Sequence, residues 1–259
     1  MCLIVFAFKN HPRFDLIFAA NRDEFYGRPT RAAQFWDDHP TMLAGKDLSG
    51  GGTWMGINRR GQFAALTNFR DPSISKENAP SRGEIVINYL NQNKKPTAFL
   101  QQLKSQSAKY MGFNMLAGTP AGVMHYSNQE NTINTVEAGV HGLSNHLLQS
   151  PWPKLVRLRE TLGDLLNVTG PDQVAGLHES LIEKLQDETQ APDHCLPDTG
   201  VGLETERFLS APFIRSQEYG TRATTVVTVD IEGTVTVTEQ NWERGGDQGQ
   251  RQQFSWQRS

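Results

Sequence analysis

The chain has 259 residues, of which 37% are hydrophobic and 20% are charged, and its formal net charge is −3 at pH 7. This near balance of charge gives no electrostatic reason to expect nucleic acid or an anionic membrane as a partner. No window approaches the roughly 20 apolar residues of a membrane-spanning helix. The two cysteines, Cys2 and Cys195, lack metal-type spacing and the histidines are scattered, so no metal site is expected. Without a signal peptide, we expect a cytoplasmic protein with free thiols.

An unbroken apolar run opens the chain at residues 2–8, and turn-type residues follow it. Its content of Val, Ile and Phe predicts a strand that is buried on both faces. A second strand is predicted at residues 15–20, so that residues 9–14 form the loop of a hairpin. This hairpin would bring Cys2 close to the polar residues 21–24, whose sequence is Asn-Arg-Asp-Glu.

Cys2 has two interpretations. Free cysteine is among the most buried residue types, so Cys2 could be a small hydrophobic residue at the head of a core strand. If Met1 is removed, however, residue 2 carries both a thiol and an α-amine, whose unperturbed pKa values are about 8.5 and 7.7–8.0. The amine is then a suitable base for the thiol. Arg22 and a carboxylate beside the thiol could stabilise the thiolate, orient the amine or bind a carboxylated ligand.

Glycines mark the region that follows the hairpin. The sequence of residues 30–48, with apolar residues scattered among polar ones, predicts a long irregular connection. The triple glycine at 50–52 allows the backbone to approach a ligand closely or to adopt positive φ. No Gly-Lys-Ser/Thr follows it, so a phosphate-binding loop is not indicated. Two strands joined by a tight turn are predicted at 54–58 and 62–68.

The rest of the chain alternates between helical and strand patterns. The amphipathic helices are expected to cover the faces of a sheet, which favours an α+β fold with sheets sandwiched by helices. Because no repeat or linker divides the chain, we expect one domain over residues 1–259, with residues 243–259 as a loosely held tail. Helices are predicted at 81–90, 97–109, 153–166 and 171–186, and strands at 113–118, 121–127, 132–136, 223–231 and 235–242, with a further apolar stretch at 141–145.

Three of these apolar segments end in an asparagine, namely Asn21, Asn68 and Asn145. A side-chain amide in such a position could donate a hydrogen bond to a developing oxyanion. Asparagine also ends strands because it favours turns, and a single example would favour that explanation. Three examples in one chain keep the functional explanation open.

Short motifs occur in a fixed order along nearly the whole chain. They are Cys2, Asn-Arg-Asp-Glu at 21–24, Gly-Gly-Gly-Thr-Trp-Met-Gly at 50–56, Thr-Asn-Phe-Arg at 67–70, Leu-Ser-Asn at 143–145, Leu-Pro-Asp-Thr-Gly at 196–200 and Tyr-Gly-Thr-Arg at 219–222. Together they resemble the NRDE family, also called the transport and Golgi organisation protein 2 family. That family is in turn similar to N-terminal-nucleophile hydrolases of the choloylglycine hydrolase and penicillin acylase type, which implies a four-layer αββα sandwich.

The resemblance implies a catalytic set for this chain. Cys2 resembles the nucleophile, with its own amine as the base. Asp23 is similar to the aspartate that holds this amine. Asn68 and Asn145 resemble the asparagines that form the oxyanion hole and position the amine, and Arg222 resembles the late arginine that completes the cluster.

Two functions remain open on this basis. The first is a cysteine amidohydrolase that needs no cofactor and cleaves a linear amide or acyl bond of a small substrate. The second is a non-catalytic protein that holds an apolar, carboxylated or acylated ligand in the same pocket, since NRDE proteins are implicated in haem trafficking and in lipid or acyl-coenzyme A balance. The residues expected to bind a ligand are Asn21, Arg22, Trp54 and Arg222.

Overall fold

The first hairpin forms the centre of one of two antiparallel sheets in a computed structural model of the chain, which describes residues 2–74, 76–168 and 173–259. The helices of the described chain are α1 (Gly83–Leu90), α2 (Pro96–Lys104), α3 (Pro153–Val168), α4 (Val174–Lys184) and α5 (Leu203–Phe208). The strands are β1 (Cys2–Phe8), β2 (Phe14–Phe25), β3 (Thr30–Phe35), β4 (Met42–Asp47), β5 (Met55–Asn58), β6 (Phe63–Asn68), β7 (Phe113–Thr119), β8 (Gly122–Ser127), β9 (Thr132–Val136), β10 (Gly139–Leu143), β11 (Tyr219–Asp230), β12 (Thr234–Trp242) and β13 (Gln248–Gln257).

The strands form two sheets with different helices on their outer faces. The first sheet has the order β10-β1-β2-β11-β12-β13, and the second has the order β3-β4-β5-β6-β7-β8-β9. One apolar cluster joins the facing sides of the two sheets. A second cluster packs α3 and α4 against the first sheet, and a third packs α1 and α2 against the second. This layer order confirms the predicted α+β, four-layer αββα sandwich, whereas the single domain stays a prediction.

Strand β1 is buried on both faces, as its apolar run predicts. Ile4 and Phe6 contribute to the cluster between the sheets, whereas Leu3 and Val5 contribute to the cluster under α3 and α4. Successive side chains of a strand point to opposite faces, so a strand between two apolar layers must be apolar throughout.

Three segments differ from the predictions. Strand β2 does not end before the Asn-Arg-Asp-Glu motif but runs through it to Phe25, because β11 pairs with this part of the strand. The predicted irregular connection at 30–48 contains the paired strands β3 and β4. The tail is not loosely held, since β13 pairs with β12 along its length and its Phe254 and Trp256 rings lie against Phe35. Its many glutamines obscured an alternating strand pattern.

Among the helices, α5 was not predicted, and α2 is shorter than expected because its last predicted turn is a separate 3₁₀ turn at Ser107–Lys109. The first two residues of the helix predicted at 171–186 lie outside the described residues, and α4 accounts for the rest. Within the described ranges, every helix is too short or too polar to cross a membrane.

Candidate active site

The pairing of β1 and β2 places Cys2 directly opposite Arg22. Both residues continue the rows of side chains that face the space between the sheets, since Ile4 and Ala20 precede them on that face. Cys2 is half-buried, and a cavity of about 390 Å³ opens beside it. Besides Cys2 and Arg22, the lining includes Asp23, Glu24, Arg28, Asp47, Gly52, Trp54, Asn68, Arg82, Gly83 and Met111.

Arg22 lies between the ring of Trp54 and the carboxylate of Glu24. Its guanidinium carbon is 4.3 Å from the ring centroid, and its Nη2 is 3.7 Å from Glu24 Oε2. The side chain is only 6% exposed, yet its Nη1 has no hydrogen-bond partner in the described part of the chain. Trp54 can occupy this position because Gly45 has no side chain, since a Cβ there would come within 2.5 Å of the indole. The structure therefore brings two residues that were expected to bind a ligand, Arg22 and Trp54, to the cavity beside the thiol.

Two of the strand-ending asparagines are linked but have different roles. Asn68 lines the cavity, and none of the residues that the structure describes hydrogen bonds to its side-chain amide. Asn145 is fully buried and its Nδ2 donates to the backbone carbonyl of Asn68 at 2.9 Å. Asn68 is thus free to bind a ligand, while Asn145 fixes the backbone that carries it.

Asp23 is adjacent to Arg22 in the strand but lies on the other face of the sheet. It is buried, and Thr221 Oγ1 donates to its Oδ1 at 2.8 Å. Burial raises the pKa of Asp23, and the nearby ammonium of Lys154 and the Thr221 hydroxyl oppose this rise. These two groups favour the carboxylate form that is needed to hold an amine.

Asn21 does not line the cavity beside Cys2. Its Nδ2 donates to the carbonyl oxygens of Leu185 and Pro212 at 2.8 and 2.9 Å, and its Oδ1 accepts a hydrogen bond from Thr224 at 2.6 Å. Both polar atoms of this buried side chain are therefore engaged, Nδ2 with carbonyls outside the sheet and Oδ1 with the neighbouring strand β11. Its placement does not favour the expected role in ligand binding.

Arg222 is also placed away from the cavity lining. It is the extra residue at an irregularity of β11, where Thr221 pairs with Asp23 and Ala223 with Arg22. Its guanidinium donates to the turn after β2, with 2.9 Å to the Phe25 carbonyl and further bonds to the carbonyls of Tyr26 and Arg28 and to the Thr30 hydroxyl. Arg222 thus holds the turn that follows the Asn-Arg-Asp-Glu motif, and it does not complete a cluster at the thiol.

The glycine-rich loop closes the cavity against the start of α1. Asp47 organises the loop by accepting hydrogen bonds from the backbone of Gly50 and from Arg28, whose Nη2 is 2.8 Å away. Gly52 lies so close to Gly83 that a Cβ would approach the Gly83 carbonyl carbon to 2.6 Å. Two backbones therefore meet without intervening side chains, which is the close approach that the triple glycine predicted.

A network of buried charges lies behind Asp23, and sequence reasoning missed it. Lys154 of α3 is buried and donates to the Leu209 carbonyl at 2.7 Å. Burial lowers the pKa of Lys154 to about 8, although the charge of Asp23 opposes this shift. Arg70 and Glu206 form a buried ion pair with 2.7 Å between Nη1 and Oε2.

Electrostatics at Cys2 favour the protonated thiol. Burial raises the pKa of the thiol, and the positive charge of Arg22 opposes part of this rise. A thiol in this state attacks a carbonyl only when a nearby base removes its proton. The site therefore suits a nucleophile that is activated during the reaction rather than one that is stored as thiolate.

Comparison with known proteins agrees with the motif order. The model of the family described as Transport and Golgi organisation 2 matches residues 1–244. The chain belongs to this family. It is 36% identical over 258 residues to the Transport and Golgi organization protein 2 homolog of Homo sapiens, covering 93% of both chains. It is 30% identical over 256 residues to Transport and Golgi organization protein 2 of Drosophila melanogaster, covering 90% of this chain and 89% of the relative.

Solved structures with similar folds are remote from this Transport and Golgi organisation 2 family member. An N-acylethanolamine-hydrolyzing acid amidase ortholog of Caenorhabditis elegans has 10% identity and a TM-score of 0.42, covering 87% of this chain and 92% of its own. A mutant conjugated bile acid hydrolase from Clostridium perfringens has 9% identity and a TM-score of 0.41, covering 100% of this chain and 90% of its own. These scores are too low for either likeness to indicate what this family member does.

Sequence reasoning also missed two residues individually: Arg82 was only part of a predicted helix start, and Lys154 was only part of an amphipathic helix. An arginine directly before a glycine at a helix N-terminus could have marked Arg82 as a residue facing a ligand. A lysine on the apolar side of α3 could have marked Lys154, because an unpaired buried lysine is costly.

Proposed function

We propose that this protein is a cysteine hydrolase that cleaves a linear amide or acyl bond through Cys2 after Met1 has been removed. The observation that carries the proposal is that Cys2 and Asn68 line one cavity. A nucleophile and an oxyanion donor in one cavity are the minimum requirement for acyl transfer.

The proposed reaction begins with transfer of the thiol proton to the α-amine of residue 2. The sulfur attacks the substrate carbonyl carbon, and the side-chain amide of Asn68 donates to the oxyanion that forms. The amine then returns the proton to the leaving nitrogen or oxygen as its bond to the carbonyl carbon breaks. Water attacks the resulting thioester and releases the acid, which restores the thiol, so the reaction needs no cofactor.

Two further residues would act indirectly in this reaction. Asp23, held by Thr221 and near Lys154, would orient the protonated amine as a carboxylate. Asn145 would fix Asn68 through the hydrogen bond to its carbonyl. We infer that both are positioning residues, because neither needs to touch the substrate.

The test combines mass and turnover. Intact mass should show the loss of Met1, and purified protein should hydrolyse fluorogenic acyl amides of varied chain length. Cys2→Ala should lower this rate by about 10³-fold or more, whereas Cys195→Ala, which removes the exposed cysteine, should leave it unchanged. A retained Met1 together with uncut amides would eliminate the hydrolase.

A second candidate is a non-catalytic haem-binding protein, with haem as cargo, and one observation favours it. The cavity contains both a thiol and a thioether, Cys2 and Met111, as well as Arg22 and Arg82 as partners for propionates. Handling of acyl-coenzyme A or lipid would use the same cavity. Haem should then bind saturably with a Soret shift that changes in Cys2→Ala or Met111→Leu, and the absence of saturable binding would eliminate this candidate.

A further inference from the structure

Arg82 is a cation of the cavity that the proposed reaction does not use. It directly precedes α1 and is half-buried, and its Nη1 donates to the Gly112 carbonyl at 2.8 Å. Burial lowers the pKa of Arg82, and the nearby Cys2 and Glu24 oppose part of this shift. Within the described ranges, however, no carboxylate oxygen lies within 4.0 Å of its nitrogens.

The other charges of the cavity are largely neutralised. Arg28 and Asp47 form a bidentate pair, with 3.0 and 2.8 Å from Nε and Nη2 to Oδ2. Asp23 binds Thr221 on the other face of the sheet. The formal charges of the lining balance, and among the described residues Arg82 is the lining arginine without a carboxylate within 4.0 Å, whereas Arg22 pairs with Glu24 and Arg28 with Asp47.

Arg22 provides an independent sign that an acceptor is missing. Its side chain is 6% exposed and its Nη1 has no hydrogen-bond partner in the described part of the chain. An unsatisfied buried donor destabilises a fold. Such a donor in a cavity lining is expected where a ligand supplies the acceptor.

The backbone at the start of α1 adds to this preference. Ser81, Arg82 and Gly83 line the cavity, so the positive end of the helix dipole faces it. Gly52 packs directly against Gly83, so the backbone of the glycine-rich loop borders this helix end. Backbone N–H groups at a helix N-terminus favour carboxylate, phosphate and sulfonate groups.

We propose that the substrate of this site carries an anionic group, a carboxylate or a phosphate, which binds to Arg82 and Arg22 at the N-terminus of α1. Cleavage of this anionic compound rests on the proposed function, but its binding does not, because the anion site would also bind a ligand that is not cleaved. Arg82 is then the residue that selects acyl compounds with an acidic group over neutral ones.

The experiment separates binding from turnover by using Cys2→Ala protein. Two matched pairs of ligands differ in charge: N-octanoylglycine with its neutral glycinamide, and N-octanoyl-O-phosphoethanolamine with N-octanoylethanolamine. Calorimetric titration should show tighter binding of the anionic member of at least one pair. The pair with the larger preference identifies carboxylate or phosphate as the group that is recognised.

Adding Arg82→Met should weaken binding of the preferred anion by about 10- to 100-fold, as expected for loss of a charge-assisted hydrogen bond, and leave the neutral member unchanged. Arg82→Lys should restore part of the loss. Arg31→Met, which removes an exposed arginine from β3, is the control for net charge and should have no effect. Melting curves of each variant establish that it is folded.

Two results would overturn the proposal. One is the absence of any preference for the anionic member of either pair. The other is an equal loss of affinity for anionic and neutral members in Arg82→Met and Arg82→Lys. Failure of the hydrolase proposal would appear separately, as uncut substrate in the wild-type protein that still binds the anion.

Discussion

The two faces of strand β2 at its Asn-Arg-Asp-Glu motif differ in how completely their polar groups are bonded. On the face toward the helices, Asn21 has three hydrogen bonds and Asp23 is held by Thr221. On the cavity face, Arg22 has a buried nitrogen without an acceptor. Four consecutive residues of one motif thus serve two purposes, and only the incompletely bonded face is suited to a ligand.

This difference shows that the residues of a polar motif in a buried strand should be assigned to the two faces of the strand before a role is given to each. Alternation sends neighbouring residues to opposite faces, so residues that are adjacent in sequence are not neighbours in a site. A saturated polar group stabilises the fold, whereas an unsatisfied buried one reduces stability and, where it lies beside a cavity, is a candidate for binding a ligand. The stability of variants on the two faces tests this interpretation.

The largest effect is expected at the ion pair on the helical side. Arg70→Met leaves the carboxylate of Glu206 buried without its cation, and removal of one partner from such a pair destabilises a protein by about 3–5 kcal/mol. Urea unfolding measures this change. Adding Glu206→Gln to Arg70→Met should recover part of the loss, because the remaining partner is then uncharged, and no recovery would contradict the buried pair.

The next effect is expected at Asn21. Asn21→Leu leaves the carbonyl oxygens of Leu185 and Pro212 without a donor, and each buried unsatisfied group destabilises by about 1–3 kcal/mol. We expect a loss of about 3 kcal/mol in urea unfolding. Asn68→Leu is the matched control, because its amide has no described partner to lose. Equal losses of unfolding free energy for the two variants would contradict the distinction between a fully bonded structural face and a ligand-binding face.

Much of this arrangement follows from local sequence. The apolar run at residues 2–8 and the turn after it are sufficient to pair Cys2 with the Asn-Arg-Asp-Glu motif, because hairpin pairing is a local event. The glycines at 50–52 indicated close backbone approach, which Gly52 makes with Gly83. The hairpin depends on neighbours in sequence, so the sequence reveals both of its partners, whereas the glycines indicate a close approach but not that its partner is Gly83.

Features that depend on distant partners were not predicted. The extension of β2 to Phe25 requires β11, nearly 200 positions later. The polar segment at Gln248–Gln257 forms strand β13 because its backbone pairs with the edge strand β12. The hydrogen-bond partners of a side chain are often far away in sequence, so they are the hardest feature to predict. Asn21 and Arg222 were therefore expected at a ligand but instead bind backbone carbonyls.

A third prediction concerns pH. Burial lowers the pKa of Lys154 to about 8, whereas an unfolded lysine titrates near pH 10.4, so between these values the unfolded chain binds more protons and stability rises with pH. The wild type should therefore gain about 1–2 kcal/mol relative to Lys154→Met between pH 8 and pH 9.5. Urea unfolding of both proteins at both pH values measures this gain.

The control for this measurement is Lys104→Met, since Lys104 is exposed on α2 and its removal should not change the pH dependence. Asp23, Arg70 and Glu206 are the charged groups near Lys154 in both proteins that are compared. A constant difference between wild type and Lys154→Met across this pH range would mean that Lys154 does not change its charge there.

The smallest effect on stability is expected on the cavity face. Arg22→Met removes a desolvated cation–π contact of about 2 kcal/mol with Trp54 and the ion pair with Glu24, but it also removes a buried nitrogen without a described acceptor, whose cost is about 1–3 kcal/mol. These contributions oppose each other, so the free energy of unfolding should change by less than about 1 kcal/mol. Affinity for the anionic ligand should nevertheless fall in the same variant, because the ligand is the acceptor that Arg22 lacks. A loss of stability as large as that of Asn21→Leu would instead make Arg22 a structural residue, and the contrast between the two faces of the strand would disappear.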